Sequence, residues 1–140
     1  MMSRWTKLSI GLLVALAVGW VAYGPAGMGA AYIDRIEASA QVVVREAAIP
    51  GVSLRLGRDP LSRTAYLSGP ANEFQREGMG LLPGLNDRVG GVPGVAAVSW
   101  DGATRGMPLL AEILVLTALA YLIGVGLGWV FFRPKRVGFL

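Results

Sequence analysis

The chain has 140 residues, of which 54% are hydrophobic, and it carries a formal net charge of +4. That apolar share, together with a mean hydropathy of +0.53, is too high for an ordinary soluble domain and fits a small membrane protein. Cysteine and histidine are both absent from the sequence, which excludes disulfides, thiolate or imidazole metal ligands, and catalysis by either side chain.

The N-terminal segment, residues 1–28, is basic at its start and then apolar. Arg4 and Lys7 precede 21 residues without a charged side chain, a run long enough to span a membrane. A cleaved signal peptide is the alternative, because a basic start, an apolar core and small residues near Gly24 satisfy that pattern as well. The length of the apolar run favours a first transmembrane helix.

The central segment, residues 29–106, alternates between helix and strand patterns. Apolar residues at helical spacing predict an amphipathic helix, and apolar–polar alternation predicts strands. The predicted elements are, in order, a helix over 30–48, strands over 52–56 and 63–68 joined by a turn over 57–62, a helix over 71–82, a helical turn over 85–89 and a strand over 95–100. This order predicts a small αββαβ sandwich of the α+β class, in which two helices cover one face of three strands.

The second strand ends in Leu67-Ser68-Gly69, and Pro93, Gly94, Val95 and Val98 lead into the last strand. These two short motifs resemble a BON domain, a small bacterial periplasmic module. The sequence departs from the family in the turn over 57–62, which is longer than its usual tight turn, and in an insertion at 82–84. The resemblance implies a non-catalytic, envelope-associated module that contacts phospholipid or other envelope proteins, and it supplies no catalytic residues.

Gly69 and Gly94 also have a physical interpretation that is independent of the resemblance. Both lie at strand ends, where a positive φ or a close approach of another backbone favours glycine. A flexible loop glycine is the alternative at each position.

The C-terminal segment, residues 107–140, contains the longest apolar stretch. Residues 108–132 carry one charged side chain, Glu112, and 14 of these 25 residues are Leu, Ile, Val or Phe. A helix of that length measures roughly 37 Å at ~1.5 Å per residue, which exceeds a hydrocarbon core of ~30 Å. We therefore predict a second transmembrane helix.

The net charge is concentrated at the two ends of the chain. Residues 30–107 contain eight Arg and eight acidic residues, so the tails provide the excess. This distribution argues against a nucleic-acid partner and predicts that both termini are cytoplasmic and that residues 29–106 lie on the other side of the membrane. The resemblance to a BON domain implies that this membrane is the bacterial inner membrane and that the domain is periplasmic. The predicted membrane-anchoring side chains are Trp5, Trp20, Trp129, Arg133, Lys135 and Arg136.

Small residues recur at four-residue spacing in both predicted spans. The first ladder is Gly11, Ala15 and Gly19, and the second ladder is Ala120, Gly124 and Gly128. Such ladders let helix backbones approach closely, and packing drives helix association in lipid. We predict that they form helix interfaces with each other, with copies of the chain or with a third partner. The alternative is that small residues are simply common in membrane helices.

Glu112 is the one candidate functional carboxylate of the spans. Charged residues within spans are functional candidates, but a carboxylate in the first helical turn is also favoured by the helix dipole at the membrane interface. The second interpretation is preferred, with Arg105 as a possible partner. Glu73 and Glu77 predict an exposed helical turn with salt bridges, so no catalytic residue, metal or cofactor is predicted.

Three functions remain compatible with these patterns. The preferred one is a non-enzymatic protein that presents a BON-like module and binds envelope proteins, itself or phospholipid. The alternative is an accessory subunit of a larger respiratory, photosynthetic or secretion complex, bound through its membrane helices. A transport or pore function is the weakest, because two spans and one edge carboxylate provide little to line a pathway.

Overall fold

The structure, a computed structural model, describes residues 3–102 and 106–131. Two long apolar helices at the two ends of the chain flank a small α+β domain. The elements are α1 (Arg4–Tyr23), α2 (Met28–Ala47), β1 (Ser53–Arg58), β2 (Leu61–Ser68), α3 (Glu73–Glu77), β3 (Gly78–Met79), β4 (Leu82–Pro83), α4 (Leu85–Gly90), β5 (Ala97–Trp100) and α5 (Leu109–Phe131). By length and composition, α1 and α5 could each cross a membrane.

The main sheet has the strand order β1-β2-β5, in which β2 pairs antiparallel with β1 and parallel with β5. Helix α2 contacts β1 and β2, as predicted, but the second helix that packs with it is α4, which contacts α2 and β5, and not the predicted helix over 71–82. The buried core is formed by Ile33, Ile36, Ala40, Val44, Leu54, Leu56, Ala65, Leu67, Leu85 and Val89. The first four of these residues lie at helical spacing on α2, which confirms the predicted apolar face of this helix.

The prediction of a helix over 71–82 is wrong. Helix α3 ends after five residues, because Gly78 adopts a φ of 81° that no right-handed helix contains. The chain then forms a separate two-stranded hairpin, β3–β4, in which Met79 pairs with Leu82. A capping box starts α3: the Asn72 side chain accepts from the Gln75 N–H at 2.8 Å, and the Asn72 N–H donates to Gln75 Oε1 at 2.9 Å.

The prediction of a long turn over 57–62 is also wrong. The β1–β2 ladder continues to Arg58 paired with Leu61, so the turn itself is Asp59-Pro60, with a cis peptide bond between them. A β-bulge between Leu56 and Gly57 shifts the register in this hairpin. Four of the six residues that were predicted to form the turn therefore belong to the paired strands.

The domain has two ends. The helix-pair end contains the start of α2, the β1–β2 turn and the start of α5, where Ser62 bridges to Pro108. The far end contains the last turn of α2, α3 and the β3–β4 hairpin, because Ala47 shares a groove with Phe74 and Leu82. Helix α2 has 20 residues, so at ~1.5 Å per residue the two ends lie about 30 Å apart.

Candidate functional site

Arg63 and Glu112 join the domain to α5. Arg63 is on β2 and Glu112 is in the first turn of α5, and the Arg63 Nε lies 2.6 Å from Glu112 Oε2. Both side chains are partly buried, with 31% and 17% of their surface exposed. The Arg63 Nη1 also donates to the Gly94 carbonyl at 3.4 Å, so this arginine connects β2, the loop before β5 and the long helix.

Arg63 and Glu112 form an ion pair in which each group stabilises the charge of the other. The hydrogen bond to Glu112 raises the pKa of Arg63 above its ordinary value, against a smaller opposing effect of burial. The pair combines one positive and one negative formal charge at 2.6 Å, so its net formal charge is zero. Glu112 lies at the helix start, as predicted, and its partner within the described residues is Arg63. The predicted partner, Arg105, lies outside the described residues.

A junction cleft of about 310 Å³ lies beside this pair. It is lined by Tyr23, Tyr32, Arg63, Leu109, Glu112, Ile113 and Leu116. Polar lining comes from α1, α2 and β2 through Tyr23, Tyr32 and Arg63, and from α5 through Glu112. Glu112 lies on the same face of α5 as the aliphatic lining, so the α5 wall of the cleft has both polar and apolar side chains.

The first ladder forms the contact between α1 and α5. A Cβ at Gly11 would lie 2.7 Å from the Tyr121 hydroxyl, and that hydroxyl donates to the Leu8 carbonyl at 2.6 Å. Gly19 lies opposite Thr117, whose Oγ1 is 3.5 Å from a Cβ built there. Gly11, Ala15 and Gly19 are all half-buried. The small residues of α1 thus accept larger side chains of α5.

The second ladder lies outside this contact. Ala120 and Gly124 are exposed. Apart from the local backbone of α5, no described atom lies within 4 Å of a Cβ built at Gly124 or Gly128. Its role as an interface with another helix stays a prediction. Trp5, Trp20 and Trp129 are exposed near the ends of α1 and α5, and Arg133, Lys135 and Arg136 lie outside the described residues.

The residues of the BON-like motifs are mainly structural in this fold. Leu67 is fully buried, and the Ser68 hydroxyl lies 2.9 Å from that of Ser53. Gly69 and Gly94 have φ angles of 130° and 100°, which confirms the expectation of positive φ. The others are Pro93, which is exposed, and Val95 and Val98, which pack half-buried against the core.

The β3–β4 hairpin, residues 78–83, is an apolar projection that the sequence patterns missed. Gly80 has a φ of 60° and Leu81 a negative φ, which are the angles that a two-residue type II′ turn requires. Leu81 is fully exposed at the tip, and Met79 and Leu82 beside it are 68% and 65% exposed. The sequence does contain a signal for this hairpin, since a Gly-X pair between two short apolar segments is typical of a type II′ turn.

The described residues thus provide two features beyond the core: a charged junction next to the helix pair, and an apolar hairpin at the far end. No protein-family model, curated protein or solved structure matches this chain. Function therefore has to be inferred from the geometry of these two ends.

Proposed function

We propose that this chain is a non-enzymatic bacterial inner-membrane protein that holds a BON-like interaction domain in the periplasm. In this proposal α1 and α5 cross the membrane as an antiparallel pair, and both termini are cytoplasmic. The far-end hairpin docks an envelope protein. The positive charge of the two tails and the length and apolar composition of both helices support this placement.

The observation that carries the proposal is the hairpin itself. It contributes no side chain to the buried core, yet three glycines are needed to build it. Gly78 and Gly80 adopt positive φ, and a Cβ at Gly84 would run into the backbone of Glu77 and Gly78. A hairpin that is conformationally demanding, has no role in the core and exposes apolar side chains is typical of a docking surface.

The surrounding bilayer does not explain this exposure. The proposal also takes α2 to run along the membrane normal, so that the hairpin lies about 30 Å beyond the helix-pair end, the length of the 20 residues of α2. The headgroup region extends only ~5 to 8 Å beyond the hydrocarbon core. The tip therefore lies in the aqueous compartment, where a second protein is the simplest means of covering it.

A photo-crosslinking side chain at Leu81 is expected to give a discrete protein adduct in living cells. The expected result follows from the complete exposure of Leu81 at the tip. The matched control is the same probe at Val42, which is exposed on α2 of the same domain. With the probe moved to Met79, Leu81→Asp should reduce the adduct strongly, since a carboxylate in an apolar contact has to be desolvated. Equal adducts at Leu81 and Val42 contradict the proposal.

The alternative is an accessory subunit of a larger membrane complex, bound through its helices. One observation favours it: the second ladder is not used by α1, and exposed small residues on a membrane helix permit close packing of another helix. Gly124→Leu separates the two functions when it is compared with Leu81→Asp. Loss of a co-purifying complex on Gly124→Leu alone identifies the accessory subunit, and loss on Leu81→Asp alone identifies the docking domain.

Topology is tested by cysteine labelling, because the chain contains no cysteine. Single variants Ser3→Cys, Ser53→Cys and Gly138→Cys place one thiol in the domain and one near each terminus. A membrane-impermeant maleimide, added to cells with a permeabilised outer membrane, is expected to label Ser53→Cys and to leave the two terminal variants unlabelled until lysis. Labelling of Ser3→Cys before lysis excludes a cytoplasmic N-terminus.

A further inference from the structure

We propose that the junction cleft binds the headgroup of a zwitterionic phospholipid that carries both a phosphate and a primary ammonium, the phosphatidylethanolamine class. The inference rests on the proposed membrane placement of α1 and α5, but it concerns a site separate from the far-end hairpin. It follows from three properties of the cleft: its position, its lining and its charge.

The position of the cleft coincides with the membrane boundary. Tyr23 is the last residue of α1, Tyr32 lies in the second turn of α2, and the cleft reaches α5 only in its first eight residues. When α1 and α5 cross a bilayer, these helix ends define the level where headgroups meet hydrocarbon. The surrounding phospholipids are therefore the molecules that meet this cleft at the highest local concentration.

The lining matches the polarity profile of a phospholipid. Leu109, Ile113 and Leu116 have the i, i+4, i+7 spacing of one helix face and extend from the start of α5 into the apolar layer. Tyr23, Tyr32 and Arg63 add polar lining from α1, α2 and β2, and Glu112 adds it from α5 between Leu109 and Ile113. A volume of about 310 Å³ has room for about ten water molecules at ~30 Å³ each, which is enough for a phosphate with a short amine.

The charges select among headgroups. Arg63 is a favourable donor to phosphate, and Glu112 accepts hydrogen bonds from an ammonium. Because the Arg63–Glu112 pair is neutral at 2.6 Å, an anionic headgroup would bring an uncompensated charge next to Glu112. A quaternary ammonium provides no N–H for the carboxylate. A headgroup with a phosphate and a primary ammonium satisfies both partners and keeps the cleft neutral.

The test is native mass spectrometry of the full chain, extracted in mild detergent and equilibrated with equal amounts of phosphatidylethanolamine, phosphatidylcholine and phosphatidylglycerol. One phosphatidylethanolamine is expected to remain bound per chain, preferred about tenfold over the other two, the ratio that ~1.4 kcal/mol provides. Leu116→Trp should abolish this preference by filling the cleft. The matched control is Leu119→Trp, a similarly exposed position on α5 outside the cleft lining, which should preserve it.

Glu112→Gln provides a second variant that keeps the shape of the side chain and removes its charge. It should lower the preference for phosphatidylethanolamine over phosphatidylcholine, while the helix content of the whole chain, measured by circular dichroism, stays unchanged. Equal retention of all three lipids, or equal behaviour of the two tryptophan variants, overturns the inference. If the cysteine labelling and the Leu81 crosslink still give their expected results, such an outcome contradicts only the lipid site and not the proposed function. Failure of the labelling pattern removes the membrane placement, and with it both proposals.

Discussion

Replacement of Gly69 by alanine is expected to destabilise the domain by about 2 to 6 kcal/mol. Gly69 has a φ of 130°, and a Cβ at this position would run into the backbone of Gly51 and Val52. The strained φ contributes ~1 to 3 kcal/mol, and the steric conflict contributes another ~1 to 3 kcal/mol because the obstacle is backbone. Urea unfolding of the full chain in detergent, followed by circular dichroism, measures the loss.

The matched control for this prediction is Gly102→Ala. Gly102 has a φ of 72°, but within residues 3–102 and 106–131 nothing lies within 4 Å of a Cβ built there, so strain in φ is the expected cost. Limited trypsin digestion provides a second readout, since the central residues 30–107 contain eight arginines and no lysine. Faster digestion of Gly69→Ala than of Gly102→Ala is expected. Equal digestion of the two variants contradicts the steric argument.

Periodic elements of this fold were predictable because their pattern is local. The apolar face of α2 recurs at helical spacing over five turns, so both the helix and its core residues follow from the sequence. The observed bounds differ by one or two residues, since the left-handed Gly27 starts the helix at Met28. Leu54, Leu56 and Leu67 likewise follow from strand alternation on the buried face of the sheet.

The middle of the domain was mispredicted because two local preferences compete there. Asn72 and Gln75 start a helix correctly, and the apolar residues that follow are compatible with its continuation. Gly78 and Gly80 instead adopt positive φ, which ends the helix and allows the hairpin to form. Each glycine makes a helix less favourable by only ~1 kcal/mol relative to alanine. The larger effect of these glycines is that they permit the backbone angles of a tight hairpin turn.

The candidate site was only partly predictable, because its parts are distant in sequence. The position of Glu112 at the start of α5 follows from its distance to Pro108, but its partner Arg63 is 49 residues away. Sequence patterns show two equivalent ladders. Only the rotation of the helices about each other, with Tyr121 against Gly11, determines that the first ladder faces α5. Such choices depend on tertiary packing and have no local signature.

Charge reversal at Glu112 is expected to detach the domain from the start of α5. Glu112→Arg would place two cations side by side where Arg63 Nε now lies 2.6 Å from a carboxylate oxygen. Removing one partner of a fully buried pair costs ~3 to 5 kcal/mol. This pair is partly solvated, so a loss of about 2 kcal/mol in the free energy of unfolding is expected. Urea unfolding of the full chain measures it.

The reciprocal variant separates pairing from packing. Arg63→Glu alone should be about as destabilising as Glu112→Arg, whereas the double variant restores opposite charges and should recover a large part of the loss. Arg55→Glu, on the exposed face of the neighbouring strand, is the matched control and should show no measurable loss. If the double variant is as unstable as the sum of the singles, the aliphatic stems rather than the charges hold the junction. In that case α5 and the domain are coupled by the packing of Leu109 and Ile113 against the core.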